Sequence, residues 1–330
     1  MKTIGVVGAG AWGTALAQTQ ARNSHKVILW AREPEVVTAI NDRHENTVFL
    51  PGIKIEPGIH ATRDMHEAAQ ADIVLLVTPA QHVRHAFGVL KNNLRDKTPV
   101  VICAKGIELD TGKLLSDAAA EAAPGVPAAI LTGPTFASEI ARGLPCGVTV
   151  ASTDKKAAEF IRDTLASKTF RPYITDDVIG TQIGSAVKNV IAIACGVLVG
   201  RKLGESARAA LMTRGLAEMA RLSAALGGRR ETLMGLCGMG DLMLTASSMQ
   251  SRNFSFGVQL GEGRSAAEIL GERKAVTEGV TTARAAIVMA KAHKVDMPIT
   301  EAVRSCVDDN VSIDDVMNAL MERPLKSELA

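Results

Sequence analysis

The chain is poor in aromatic residues: one tyrosine, two tryptophans and seven phenylalanines make up 3% of its 330 residues. A surface that stacks successive bases needs more rings than that. Excess charge of either sign is also missing. With 37 basic and 35 acidic residues the net charge is +2, which gives no electrostatic reason to expect nucleic acid or a membrane as partner. The five cysteines, Cys103, Cys146, Cys195, Cys237 and Cys306, contain no Cys-x-x-Cys pair. That suits reduced core thiols and excludes both a disulfide framework and a ribbon-type zinc site; no metal is expected. A signal-peptide pattern is absent, since Lys2 leads at once into a strand and a glycine turn. The expected location is the cytoplasm. A membrane span is a poor reading too: the apolar run Val190–Val199 is half of the ~20 residues a span needs.

What is present is a chain too long for one comfortable core, so two domains are expected. Thr3-Ile4-Gly5-Val6-Val7 reads as a buried parallel strand, followed immediately by Gly8-Ala9-Gly10-Ala11-Trp12-Gly13 and a helical stretch to Arg22. A bare G-x-G-x-x-G is weak evidence. Between a strand and a helix it is a dinucleotide turn, with Gly8 for the turn, Gly10 for approach of the pyrophosphate and Gly13 for helix–strand packing. The second strand, Val27–Trp30, ends in Ala31-Arg32-Glu33. Ala31 cannot hold a ribose; Arg32 is either a fork for a 2′-phosphate or an ordinary solvated residue. NADP is the favoured cofactor, with NAD accepted as well.

Further strands read at Ile73–Val77, Val100–Cys103, Ala128–Leu131, Val148–Ala151 and Phe170–Ile174, with helical stretches at His82–Asn93 and Leu114–Ala123. This alternation predicts an α/β fold with a doubly wound, Rossmann-type, mostly parallel sheet over 1–179. After Asp177 the patterns become helical, predicting an all-helical substrate-binding and catalytic domain over 180–330. Ligands of such sheets bind beyond the carboxyl ends of the strands, where Lys105 either faces the cleft or is a loop lysine in solvent. Val178–Gly200 carries one ionisable group, Lys188, among densely spaced apolar residues, so a largely buried helix is expected. Lys188 is then either a snorkelling side chain or a used one. Asp241, after a glycine-rich turn, needs a donor or a lysine to stay charged, unless it caps a helix. Ser251-Arg252-Asn253 at a helix start combines hydroxyl, guanidinium and amide, and is either a set that holds a phosphate or the cap of a surface helix.

These stretches together closely resemble the bacterial NAD(P)-dependent sn-glycerol-3-phosphate dehydrogenases. The matching runs are Gly8–Ala17, Ala104–Gly106, Leu131–Ala137, Ala186–Ile193, Arg214–Met219, Gly238–Leu244, Ser251–Asn253 with Gly257, and Val276–Gly279. The resemblance implies reversible reduction of dihydroxyacetone phosphate, feeding phospholipid synthesis, with Lys188 as acid/base. It implies substrate contacts at Lys105, Gly133, Thr135, Lys188, Asp241, Ser251, Arg252 and Asn253. The implied cofactor contacts are Ala11, Trp12, Arg32, Lys105, Ala137, Arg252, Val276 and Glu278. Ala11 departs from the family's frequent serine, so a hydroxyl contact is absent there. No histidine occurs between His85 and His293, leaving Lys188 as the proton donor. Lys105 would add positive potential. A homodimer is expected from the apolar helices of the second half. The rival readings are another lysine-dependent NADP enzyme of hydroxyacid or ketopantoate type, and a non-catalytic NADP-binding redox sensor.

Overall fold

A computed structural model describes residues 1–273 and 276–325. Ten strands occur among the described residues: β1 (Thr3–Val7), β2 (Lys26–Trp30), β3 (Glu45–Asn46), β4 (Leu50–Lys54), β5 (Ile59–Thr62), β6 (Ile73–Leu76), β7 (Val100–Ile102), β8 (Ala128–Thr132), β9 (Cys146–Ala151) and β10 (Phe170–Thr175). Eight of them form one sheet in the order β10-β9-β8-β7-β6-β1-β2-β5. Every neighbouring pair is parallel except β8–β9, where the direction reverses and β9 carries β10 with it. The central strands β1, β6 and β7 are almost wholly buried, because helices cover both faces of the sheet and apolar side chains are needed on each.

The helices interleaved with these strands are α1 (Ala11–Arg22), α2 (Pro34–Arg43), α3 (Met65–Ala69), α4 (Val83–Leu90), α5 (Leu115–Ala122), α6 (Ala137–Ala141) and α7 (Lys155–Leu165). The stretch read as one helix over His82–Asn93 is shorter, a 3₁₀ turn at Ala80–His82 running into α4. The small antiparallel pair β3–β4 and the edge strand β5 have no counterpart in the sequence reading.

From Val178 onward only helices follow among the described residues: α8 (Val178–Gly200), α9 (Glu205–Ala225), α10 (Asp241–Thr245), α11 (Arg252–Gly261), α12 (Ala266–Glu272), α13 (Glu278–Ala292), α14 (Pro298–Asp308) and α15 (Ile313–Met321). Asp177 starts α8 by accepting from the backbone N–H of Gly180. Although α8 is long and apolar enough to cross a membrane, it is the core helix here, buried without a break from Gly180 to Gly196. Its crossing with α11 is unusually close. A Cβ on Gly196 would meet the Phe254 carbonyl oxygen at 2.2 Å, and one on Gly257 would meet that of Ile193 at 2.0 Å. Glycines spaced by four, Gly196 with Gly200 and Gly257 with Gly261, let the two backbones touch. That contact holds the start of α11 against the middle of α8, where Lys188 lies.

Candidate active site

Lys188 is 4% exposed, in a stretch of α8 where Val187, Val190 and Ile191 have no exposure at all. Such an ammonium needs partners, and it has two: Nζ donates to Asp241 Oδ1 at 2.8 Å and to Thr245 Oγ1 at 2.6 Å. Asp241 is buried as well. Its other oxygen, Oδ2, accepts from Lys105 Nζ at 2.7 Å, and the same ammonium donates to the Gly133 carbonyl at 3.0 Å. One carboxylate is therefore shared by two lysines, one from the end of β7 and one from α8, leaving a net positive charge. An ammonium has three N–H donors. Each lysine uses two on the protein among the described residues, which leaves one on each for a ligand.

Burial pushes the Lys188 ammonium down to about 8 from the ordinary 10.5. The Asp241 carboxylate opposes this and the positive charge of Lys105 adds to it. The result is a lysine able to hold or release a proton near neutral pH, which is what general acid–base work requires. Two hollows elsewhere, about 340 Å³ near Arg22 and Phe170 and about 390 Å³ among α13, α14 and α15, do not touch this cluster. Charge convergence and a perturbed lysine, rather than cavity size, locate the candidate site.

Around the cluster stand the other residues singled out by the sequence. Thr135 donates its hydroxyl to the Gly133 carbonyl at 3.2 Å, beside the Lys105 contact. Ser251 accepts from the Phe254 N–H and is the N-cap of α11. Asn253 is committed on both sides: Nδ2 donates to Asn189 Oδ1, one residue from Lys188, while Oδ1 accepts from the Gly279 N–H. Its side chain therefore ties α8, α11 and α13 together, with one amide hydrogen left unbonded among the described residues. Arg252 is exposed and forms no side-chain hydrogen bond among the described residues. Desolvation by the surrounding protein lowers its pKa, against the opposing charge of Glu278. Glu278 opens α13 and accepts from the Ala80 N–H at 3.3 Å, joining the helical part to the loop after β6. Val276, just before it, is 48% exposed.

The cofactor turn fits a dinucleotide on its own geometry. Gly8 has φ +117, which a residue with a side chain adopts only under strain, and a Cβ there would press on the Val77 carbonyl at 2.8 Å. A Cβ on Gly13 would lie 1.8 Å from the Gly8 carbonyl oxygen, so only glycine lets α1 pack this close. Gly10 faces open space and is the N-cap of α1, with no side chain capping it. The first N–H groups of α1 are thus left to an external acceptor such as a pyrophosphate. Trp12 Nε1, Thr78 Oγ1 and Thr282 Oγ1 are buried without a hydrogen-bond partner among the described residues. Ala137 opens α6, and Ala11 and Trp12 begin α1. Arg32 follows β2, three strand spacings from β7 and so about 14 Å along the carboxyl edge from Lys105.

Residues 3–158 match the N-terminal half of the family described as NAD-dependent glycerol-3-phosphate dehydrogenase, and residues 177–318 match its C-terminal half. The chain belongs to the NAD-dependent glycerol-3-phosphate dehydrogenase family. It is 52% identical to the glycerol-3-phosphate dehydrogenase [NAD(P)+] of Parvibaculum lavamentivorans over 99% of this chain and 98% of that one. The corresponding protein of Caulobacter vibrioides is 51% identical, with 98% of each chain covered. Among solved structures, glycerol-3-phosphate dehydrogenase from Coxiella burnetii superposes with a TM-score of 0.93 at 35% identity, covering 98% of this chain and 99% of that one. A match over both halves leaves no ground for the ketopantoate-type or sensor readings. The chain is an NAD(P)-dependent oxidoreductase.

Thr245 is the site residue that sequence reading missed. It lies four residues after Asp241 on α10, and its hydroxyl, besides accepting from Lys188, lies 3.3 Å from Asp241 Oδ1. The spacing is a helical neighbour relation. The glycine-rich run Gly235–Gly240 hid it, because that run reads as a loop, whereas Leu236–Gly240 is a π-helical turn leading straight into α10.

Proposed function

We propose that this enzyme reduces dihydroxyacetone phosphate to sn-glycerol 3-phosphate, reversibly, with NADPH or NADH. The observation that carries this reading is the convergence of Lys105 and Lys188 on the single carboxylate of Asp241 at the carboxyl edge of the sheet. The bound nicotinamide supplies the hydride to C2. Lys188 Nζ delivers the proton to the oxygen on C2, using the N–H not held by Asp241 or Thr245. Lys105 faces the same oxygen as a fixed positive charge, stabilising negative charge as it develops there. Asp241 holds both ammoniums in place and keeps Lys188 protonated more than burial alone would allow. In the oxidative direction the neutral amine of Lys188 takes the hydroxyl proton.

The phosphate is remote from C2 and its binding orients the carbonyl. Arg252, with no side-chain hydrogen bond among the described residues and at the N-terminus of α11, suits that anion, with Ser251 and Asn253 beside it. Gly133 and Thr135 line the substrate side of Lys105. Gly8, Gly10, Ala11, Trp12 and Gly13 hold the pyrophosphate by backbone N–H groups, and Ala137, Val276, Glu278 and Arg32 line the rest of the dinucleotide. Under this reading residues 1–179 form the cofactor domain and 180–330 the substrate domain, with Asp177 capping the helix at the junction.

We also place the enzyme in the cytoplasm, supported by five unpaired cysteines, and assign it a homodimer, supported by exposed Val288 and Met321 on the outer helices. The deciding experiment follows NAD(P)H absorbance with a panel of ketones and acids. Turnover with dihydroxyacetone phosphate alone supports the assignment, and turnover with unphosphorylated 2-oxoacids rejects it.

A further inference from the structure

The carboxyl end of β2 carries a contact that the family match does not account for. Arg32, 80% exposed, donates through Nε and Nη2 to one oxygen, Glu33 Oε1, at 3.1 and 2.9 Å. Glu33 stands at the N-cap of α2, yet its side chain makes no capping hydrogen bond. The carboxylate is turned onto the arginine instead, and Oε2 forms no hydrogen bond among the described residues. In this fold the end of the second strand meets the adenosine ribose of the dinucleotide. A 2′-phosphate at that place needs the guanidinium fork, which Glu33 already occupies with a charge of the phosphate's own sign. A free 2′-hydroxyl needs an acceptor, and Glu33 is one.

We propose that Glu33 is the specificity-determining residue that keeps both cofactors usable. It competes with the 2′-phosphate of NADPH for Arg32 and accepts from the 2′-hydroxyl of NADH. The inference rests on Arg32 being the partner of the 2′-phosphate, so the two must be tested together. The chain has two tryptophans, Trp12 in the first turn of α1 and Trp30 at the end of β2, so quenching of intrinsic fluorescence reads cofactor binding without turnover.

Titrations of NADPH and NADH into the wild type, Glu33→Gln, Arg32→Ala and the double variant give four pairs of Kd values. Because an exposed ion pair and a nearby like charge each contribute little, Glu33→Gln should tighten NADPH by about two- to tenfold without tightening NADH. Arg32→Ala should weaken NADPH by roughly tenfold or more, the loss of a charge-assisted fork, and should abolish the Glu33→Gln gain in the double variant. An NADPH Kd unchanged in Glu33→Gln, with Arg32→Ala still weakening it, overturns the role of Glu33 alone. An NADPH Kd unchanged in Arg32→Ala overturns the reading of Arg32 and the inference with it. Equal tightening of both cofactors by Glu33→Gln also rejects the proposal.

Discussion

Asp241 lies between two lysines, with Oδ1 2.8 Å from Lys188 Nζ and Oδ2 2.7 Å from Lys105 Nζ. The pair spans 136 residues of sequence on one side and 53 on the other, so the carboxylate joins the end of the sheet to the core helix. Removing its charge without changing its shape tests what it does. In Asp241→Asn, Lys188 loses the one influence that raises its pKa and keeps burial and Lys105, which lower it. The pH profile of kcat/KM for ketone reduction should move to lower pH, and kcat should fall. A profile that stays in place or moves upward would show that Asp241 does not act on the proton donor.

The sign of the pH dependence in the wild-type enzyme follows from the same lysine. Reduction needs the ammonium, so kcat/KM should fall as pH rises through about 8, and oxidation of glycerol 3-phosphate should rise through the same value. The folded-state pKa lies below the unfolded 10.5, so between about 8 and 10.5 the unfolded chain holds more protons. The stability contribution from this group therefore increases with pH across that window. Reduction and oxidation rates that rise together through pH 8 would remove Lys188 from proton transfer.

Arg252→Ala should weaken dihydroxyacetone phosphate severely, by roughly tenfold or more in KM, as expected for a lost charge-assisted contact. Unphosphorylated dihydroxyacetone should be affected little. Steady-state kinetics with both ketones checks this, and equal losses would reject Arg252 as the phosphate clamp.

Gly257→Ala tests the helix crossing that carries α11 to Lys188. The added Cβ would be forced to within 2.0 Å of the Ile193 carbonyl oxygen, a backbone atom that cannot swing aside. Urea unfolding should show a loss of about 1–3 kcal/mol, the usual cost of overpacking. Unchanged stability would mean that the two helices separate without cost.

Much of this was legible in the sequence, for physical reasons that differ from place to place. β1 and its glycine turn were readable because a buried parallel strand is a continuous apolar run and the turn demands glycine at fixed offsets. α8 was readable because no strand or surface helix keeps so many apolar residues over 23 positions. The antiparallel setting of β9 was not, since strand direction depends on the partner rather than on the strand's own residues. Nor was α12, although Ser265 and Glu268 make a complete capping box there. At the site, Lys188 and Asp241 stood out as charges among apolar residues, and Lys105 as a cation at a strand end. That they share one carboxylate, with Thr245 beside it, depends on a helix concealed behind glycines. The commitment of Asn253 to Asn189 and Gly279 is a tertiary pairing that no local pattern encodes.

The central claim is that Lys188 Nζ carries the proton, and single-turnover and steady-state kinetics of Lys188→Ala test it most directly. A positioned acid or base contributes roughly 10²–10⁴ in rate, so kcat for dihydroxyacetone phosphate should fall by at least that factor. The NADPH Kd read from tryptophan quenching should stay within about twofold of the wild-type value, since Lys188 is placed on the substrate rather than the dinucleotide. A variant that binds cofactor normally and keeps a near-wild-type kcat would contradict the account.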